Sequence, residues 1–190
     1  MGFLDVLLGR SKPKKPDLDR LFALPTAALT LEAASALKPT GVGAVCFRAA
    51  EGAAFAQIEG DVRELLDARE DGPKVELSKD SYGYSWLVAR HEPDDLEGLV
   101  TDIHAVNSSL EVGGFGPQLL CSVVVFAGPD GRKTGLVYLY KRGTFYPFAP
   151  TSGERRDNAL ELQVRAAVGA DLPVEGDLSR WFPVWGAPGL

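Results

Sequence analysis

"LLCSVVVFAGPDGRKTGLVYLYKRGTFYPF", residues 119–148, decides the fold. Its first eight residues are an apolar run rich in β-branched side chains, the composition of a buried strand. Gly128, Pro129, Asp130 and Gly131 supply a turn, and TGLVYLYK at 134–141 returns as an antiparallel partner. Alternation puts Leu136, Tyr138 and Tyr140 on one side of that strand and Val137, Leu139 and Lys141 on the other. Arg142 and Gly143 reverse the chain again. Thr144 to Phe148 then comes back as far as Pro147, whose missing N–H confines it to a sheet edge or a strand end. Three strands joined by two tight turns predict an antiparallel meander.

Outward from this stretch the pattern stays one of hairpins and amphipathic helices. Residues 17–37 read as a helix interrupted at Pro25, ended by Pro39, Gly41 and Gly43, and followed by a short strand, GAVCF at 43–47. Phe55, Ile58, Val62, Leu65 and Leu66 fall on one helical stripe. KVELS at 74–78 and YSWLVAR at 84–90 are strands joined around Lys79, Asp80 and Ser81. Pro93, Asp94 and Asp95 open a helix with Leu96, Leu99, Ile103, Val106 and Leu110 on one face, closed by Gly113 and Gly114. Thr151 and Glu154 have capping-box spacing for a last helix that buries Leu160, Val164, Ala167 and Val168. The aromatic end, RWFPVWGAPGL at 180–190, is expected to strap onto the domain. GVGAVCF and GFGPQLLCSVVVF form at most a faint internal repeat, each following a helix and each with a central cysteine.

The order of elements lacks regular strand-helix-strand alternation, so the predicted class is α+β, an antiparallel sheet built from hairpins and flanked by amphipathic helices, in a single domain over 17–190. Residues 1–16 stand apart as a short apolar helix plus a basic Pro/Lys linker, SKPKKP at 11–16.

With 190 residues, 45% hydrophobic and 24% charged, the chain is long enough and apolar enough for an ordinary globular core. The net charge of −6 hides a basic end: Arg10, Lys12, Lys14 and Lys15 against Asp5 make residues 1–15 +3 and leave −9 for the rest. So acidic a body argues against nucleic acid as a partner. Cys46 and Cys121 lie in apolar runs, which suits reduced thiols and a cytoplasmic location. No apolar stretch reaches the roughly 20 residues that span a bilayer. No secretory signal and no myristoylation pattern is recognised. Two histidines, His91 and His104, without HExxH or CxxC spacing offer no metal site, and neither a complete dinucleotide fingerprint nor a P-loop is present. No cofactor and no catalytic residue is therefore assigned. A Cys121–His104 pair is expected to be inert, because Leu120, Val123 and Val124 predict a buried thiol.

The candidate site is cationic. Lys141, Arg142, Tyr146, Arg155 and Arg156 gather at the junction of the final hairpin and the last helix, where cations oppose the helix dipole unless an anion, a partner carboxylate or Asp157 relieves them. Two readings follow: a patch that binds a protein partner, or a grip for a small anionic ligand in an uncharacterised enzyme or binding domain. At the other end, Phe3, Leu4, Leu7 and Leu8 are candidates for docking on the domain, on a twin subunit in a homodimer, or peripherally on an anionic membrane surface.

Four segments, MGFLDVLLGRSKPKKP (1–16), LFALPTAALTL (21–31), DIHAVNSSLEVGGFGPQLLC (102–121) and the long end from YKRGTFYPFAPTSGERRDN (140–158) to Leu190, together resemble the actinobacterial PspA-associated protein family PspAB. That resemblance implies a cytoplasmic, non-catalytic component of a phage-shock, envelope-stress response that binds a protein of the PspA system. It supplies no catalytic residues to carry over.

Overall fold

A computed structural model of the protein describes residues 16–48 and 75–190, together with Ala56, Gln57, Gly60 and Glu64. The N-terminal segment with Phe3, Leu4, Leu7 and Leu8 lies outside the described residues. So does most of the helix expected from Phe55 to Leu66, although those four isolated positions are helical.

The meander forms as the sequence predicts. β4 (Leu119–Ala127), β5 (Lys133–Leu139) and β6 (Thr144–Phe148) pair antiparallel in succession, with Val124 opposite Leu136 and Val137 opposite Tyr146. β1 (Lys38–Arg48), β2 (Glu76–Lys79) and β3 (Tyr84–Arg90) complete a six-stranded antiparallel sheet in the order β2-β3-β1-β4-β5-β6. The molecule is a single α+β domain. β1 starts five residues before the expected GAVCF strand, because Lys38 and Pro39 pair with Ala127 and Phe126 across a register shift. That extension depends on a partner far away in sequence. Pro147 sits on the edge strand, where its absent N–H leaves no partner unsatisfied.

Among the described residues, three helices cover one face of the sheet. α1 (Leu24–Ser35) is led in by a 3-10 turn over Leu18–Ala23, and Pro25 falls in its first helical turn. There the ring starts the helix instead of breaking it, since a first-turn N–H has no intrahelical acceptor anyway. α2 (Leu96–Leu110) is capped by Asp95, whose carboxylate accepts from the Gly98 amide at 3.0 Å, and Leu96, Leu99, Ile103, Val106 and Leu110 are all buried. Gly43 lets α2 approach β1 closely: a β-carbon there would lie 2.5 Å from Ile103 Cδ1.

α3 (Asn158–Val168) begins later than the capping-box spacing implies. Thr151 and Glu154 belong instead to a small ribbon, β7 (Pro150–Thr151) paired with β8 (Arg155–Arg156), whose turn holds Gly153 and Glu154 at φ of 70° and 51°. Left-handed backbone at both positions is incompatible with a helix start. Asp157 is the cap, accepting from the Leu160 amide at 2.9 Å.

β1, β3, β4, β5 and β6 divide their side chains between two cores. Val45, Phe47, Leu87, Val124, Phe126, Leu136, Tyr138 and Phe145 pack under the helices. Ala44, Cys46, Trp86, Val88, Cys121, Val123, Val125, Val137, Tyr146 and Phe148 face the other way, against Trp181 and Ala187 of the C-terminal segment. Burial on both faces explains why 119–126 is a continuous apolar run rather than an alternation.

Candidate functional site: an aromatic cleft under the C-terminal strap

The strap begins by covering the sheet edge. Phe145 donates its amide to Pro173 O at 2.9 Å, and Glu175 donates to Phe145 O at 2.7 Å, so β6 gains a short partner where an open edge would invite aggregation. Trp181 is then locked in place. Its indole N–H donates to Glu175 O at 3.0 Å, its ring stacks on Tyr146 at 6.1 Å between centroids, and its carbonyl accepts from Arg156 Nη1 at 2.5 Å. Tyr146 donates its hydroxyl to Phe182 O at 2.7 Å. Near the end, Trp185 meets the Phe148 ring edge-on at 4.8 Å, and Lys133 Nζ donates to Gly189 O at 2.8 Å.

Residues 182–185 and the sheet beneath them enclose a cleft of about 640 Å³. Cys46, Cys121, Trp86, Leu120, Leu139 and Tyr146 line it from the sheet. Tyr82 of the β2–β3 turn, Tyr84 at the start of β3, and Phe182, Pro183, Val184 and Trp185 of the strap form its walls. Tyr82, Tyr84 and Phe182 are exposed, so aromatic surface stays in contact with water at the mouth. Unsealed apolar surface of this kind marks a binding site more often than it marks a packing fault.

Polar groups ring the opening. Asp80 builds its own wall: one carboxylate oxygen accepts from the Tyr82 and Tyr84 amides at 2.9 Å each, and the other accepts from Trp86 Nε1 at 2.9 Å. Arg142 and Arg180 line the cleft but are engaged, Arg142 with Glu175 at 2.5 Å and Arg180 with Asp177 at 2.9 Å. Burial works against ionisation of Glu175, yet hydrogen bonds from Arg142, the Asp177 amide and Thr144 outweigh it and hold that carboxyl below its ordinary range. Lys141 is exposed and has no ion-pair partner among the described residues.

The five site residues proposed from sequence divide accordingly. Lys141, Arg142 and Tyr146 line one cleft, while neither Arg155 nor Arg156 reaches it. Arg156 is turned inward, donating to Glu161 at 2.8 Å with its guanidinium 5.1 Å from the Phe148 ring centre. Exposed Arg155 donates to Ser152 O at 3.2 Å. The helix dipole is met by Asp157, and Arg156 by a buried glutamate. Trp86, Tyr84, Cys46, Arg180 and Val184 were not foreseen as site residues. The WFPVW run announced the strap, but nothing local in the sequence shows where it leaves the sheet uncovered.

Cysteine and histidine chemistry sits on separate faces. Cys121 faces the cleft, whereas His104 lies with the helices, 3.2 Å from Asp19 and 4.8 Å from the Phe22 ring centre. Cys46 is the register partner of Cys121 across β1 and β4. A hydrogen bond between the two thiols, followed by burial, pushes the Cys46 thiol far above its ordinary range. His91, almost fully buried, is held between Asp95 at 2.6 Å and Asp102 at 2.8 Å and ties the end of β3 to α2. No group of three metal-ligating side chains occurs among the described residues.

Fold and site define a single-domain α+β protein with an open aromatic cleft on the sheet face away from its helices. No helix among the described residues is long and apolar enough to cross a membrane. The chain belongs to the family PspAB, PspA associated protein B, whose model matches residues 1–189. No curated protein and no solved structure matches it. The family name associates its members with PspA.

Proposed function

We propose that the protein is a non-catalytic adaptor of a PspA-type membrane-stress response, and that it docks an apolar segment of a protein partner in the strap-side cleft. The observation that carries this reading is the coincidence of exposed Tyr82, Tyr84 and Phe182 with an uncommitted Lys141 around one opening, in a chain of a family named for PspA. Aromatic anchors beside an unpaired cation are what a hot spot for an apolar segment flanked by an acidic residue needs. A non-catalytic role is further supported by the Cys46 thiol, held protonated, and by the sheet that separates Cys121 from His104.

Co-purification with PspA tests it. Phe182→Asp and Lys141→Glu should each weaken capture about tenfold or more, the equivalent of roughly 1.4 kcal/mol, while Arg155→Glu, outside the cleft, should leave it unchanged. Unaltered capture by both cleft variants would sink the assignment. Membrane contact through residues 1–15 is a separate element of the proposal, resting on the Phe3, Leu4, Leu7 and Leu8 stripe and the basic linker. Liposomes of anionic lipid should sediment the full chain and not one beginning at Asp17.

One observation favours a second reading. A volume of about 640 Å³ lies within the range of small-molecule pockets, so an anionic ligand held by Lys141 is the alternative. A thermal-shift screen of carboxylates and phosphates would separate the two, because a ligand specific to the folded state raises the midpoint with concentration.

A further inference from the structure

The chain has two cysteines, and the fold sets them side by side. They are 75 positions apart in sequence, yet Cys46 on β1 and Cys121 on β4 are direct antiparallel register partners, both point to the strap face, and both line the cleft. Directly opposed residues in an antiparallel pair have α-carbons roughly 4.5 to 5.5 Å apart, within the span a disulfide bridges without backbone movement. The pairing register shifts immediately beyond them, between Cys46 and Phe47, so the regular ladder is interrupted next to the pair.

We propose that Cys46 and Cys121 are an oxidative modification site, closing to a cross-strand disulfide by exchange with a low-molecular-weight disulfide that enters the cleft. In the first step one protein thiolate attacks a sulfur of the reagent. The reagent S–S bond breaks, a mixed disulfide forms, and the first reagent thiol leaves with a proton. In the second step the neighbouring cysteine gives up its proton and attacks the protein-side sulfur. The Cys46–Cys121 bond forms and the second reagent thiol departs. The protein loses two electrons and two protons, and the reagent disulfide becomes two thiols.

The cleft is what makes the first step feasible, since a mixed disulfide needs room for the reagent half that a sealed core would not provide. Only thiolate attacks, so exchange quickens as pH rises towards the titration of the attacking thiol. The bond ties the two central strands under the cleft, and this inference stands whether or not a protein partner docks above them.

The test uses the reduced full-length chain incubated with oxidised glutathione at pH 7.5 and 8.5 and read by intact mass. The expected product is monomeric, two hydrogen atoms lighter, without titratable thiols, native by circular dichroism and restored by dithiothreitol. It should form faster at the higher pH. Cys46→Ser and Cys121→Ser should each stop at a single glutathione adduct. A wild-type product carrying two glutathiones, a disulfide-linked dimer as the main species, or a folded chain left unmodified under conditions that oxidise it when unfolded would each overturn the proposal.

Discussion

The two faces of the sheet are built from the same strands and finished by different means. Under the helices, side chains from β1, β3, β4 and β5 meet regular apolar stripes, and the layer closes around Phe47, Phe126 and Phe145, each with no more than 1% of its surface exposed. On the other face the cover among the described residues is an irregular segment held at Trp181, Trp185 and Gly189. A helix presents a ridge of side chains every turn, whereas a strap seals only where it is pinned. The consequence is a cleft on the strap side, the face that α1, α2 and α3 leave bare.

The sharpest way to break this comparison is to cut equivalent apolar groups from each face. Phe126→Ala, beneath the helices, should cost about 3–5 kcal/mol, the usual price of an aromatic-sized cavity in a closed core. Leu139→Ala, at the wall of an existing cleft and half-buried, should cost under about 1 kcal/mol because water already reaches that space. Urea unfolding of the two variants measures both, and equal losses would mean that the strap packs as tightly as the helices.

The second comparison is between two adjacent arginines. Arg156 neutralises Glu161, a carboxylate with 2% of its surface exposed that also accepts from the Ala149 amide at 2.9 Å, and it helps to pin the strap through the Trp181 carbonyl. Arg156→Ala leaves that carboxylate buried and uncompensated and should cost about 3 kcal/mol. Arg155→Ala should change stability by less than about 0.5 kcal/mol. Paired denaturation curves decide it.

Alkaline pH probes both faces together. Burial pushes Tyr138 and Tyr140, on the helix side, up to about 12 from an ordinary 10, with nearby Glu111 adding to the rise at Tyr140. On the strap side, Cys46 is raised from an ordinary 9.0. All three are held protonated by the fold. The stability they contribute is complete below the unfolded-state values and disappears as pH climbs towards the folded ones. The urea midpoint should therefore hold to about pH 9 and then fall, the strap-side thiol acting first. Cys46→Ser should delay the onset of that fall towards pH 10, and an unchanged onset would show that the tyrosines alone are responsible.

What could be read from the sequence was what neighbouring residues specify. The β4–β5–β6 meander, α2 with its acidic opening, the β2–β3 hairpin and the strap are written in turns, stripes and caps within about thirty residues of one another. The start of β1 was missed because Lys38 and Pro39 pair with Ala127 and Phe126 of β4, close to 90 positions away. Thr151 and Glu154 had the spacing of a capping box, but the chain places Glu154 in left-handed backbone, where its carboxylate hydrogen-bonds the Tyr82 hydroxyl. The candidate site was half legible for the same reason. Lys141, Arg142 and Tyr146 lie on one hairpin, whereas their cleft partners come from residues 46, 80–86, 119–121 and 180–185, which only the complete fold brings together.

The smallest effect expected comes from the joint between α1 and the sheet, and it tests whether the helix side is itself free of strain. Ala36 ends α1 in a left-handed conformation, φ 52°, with its amide donating to Glu32 O at 3.0 Å. An alanine β-carbon makes that backbone unfavourable by about 1 kcal/mol, and glycine, the residue helices most often place just past their ends, carries no such penalty. Ala36→Gly also adds unfolded-state freedom, which offsets part of the gain. The net expectation is a stabilisation of about 0.5 kcal/mol, seen as a small rise in urea midpoint with an unchanged slope. A fall of similar size would show that packing of the Ala36 methyl outweighs the strain of its backbone.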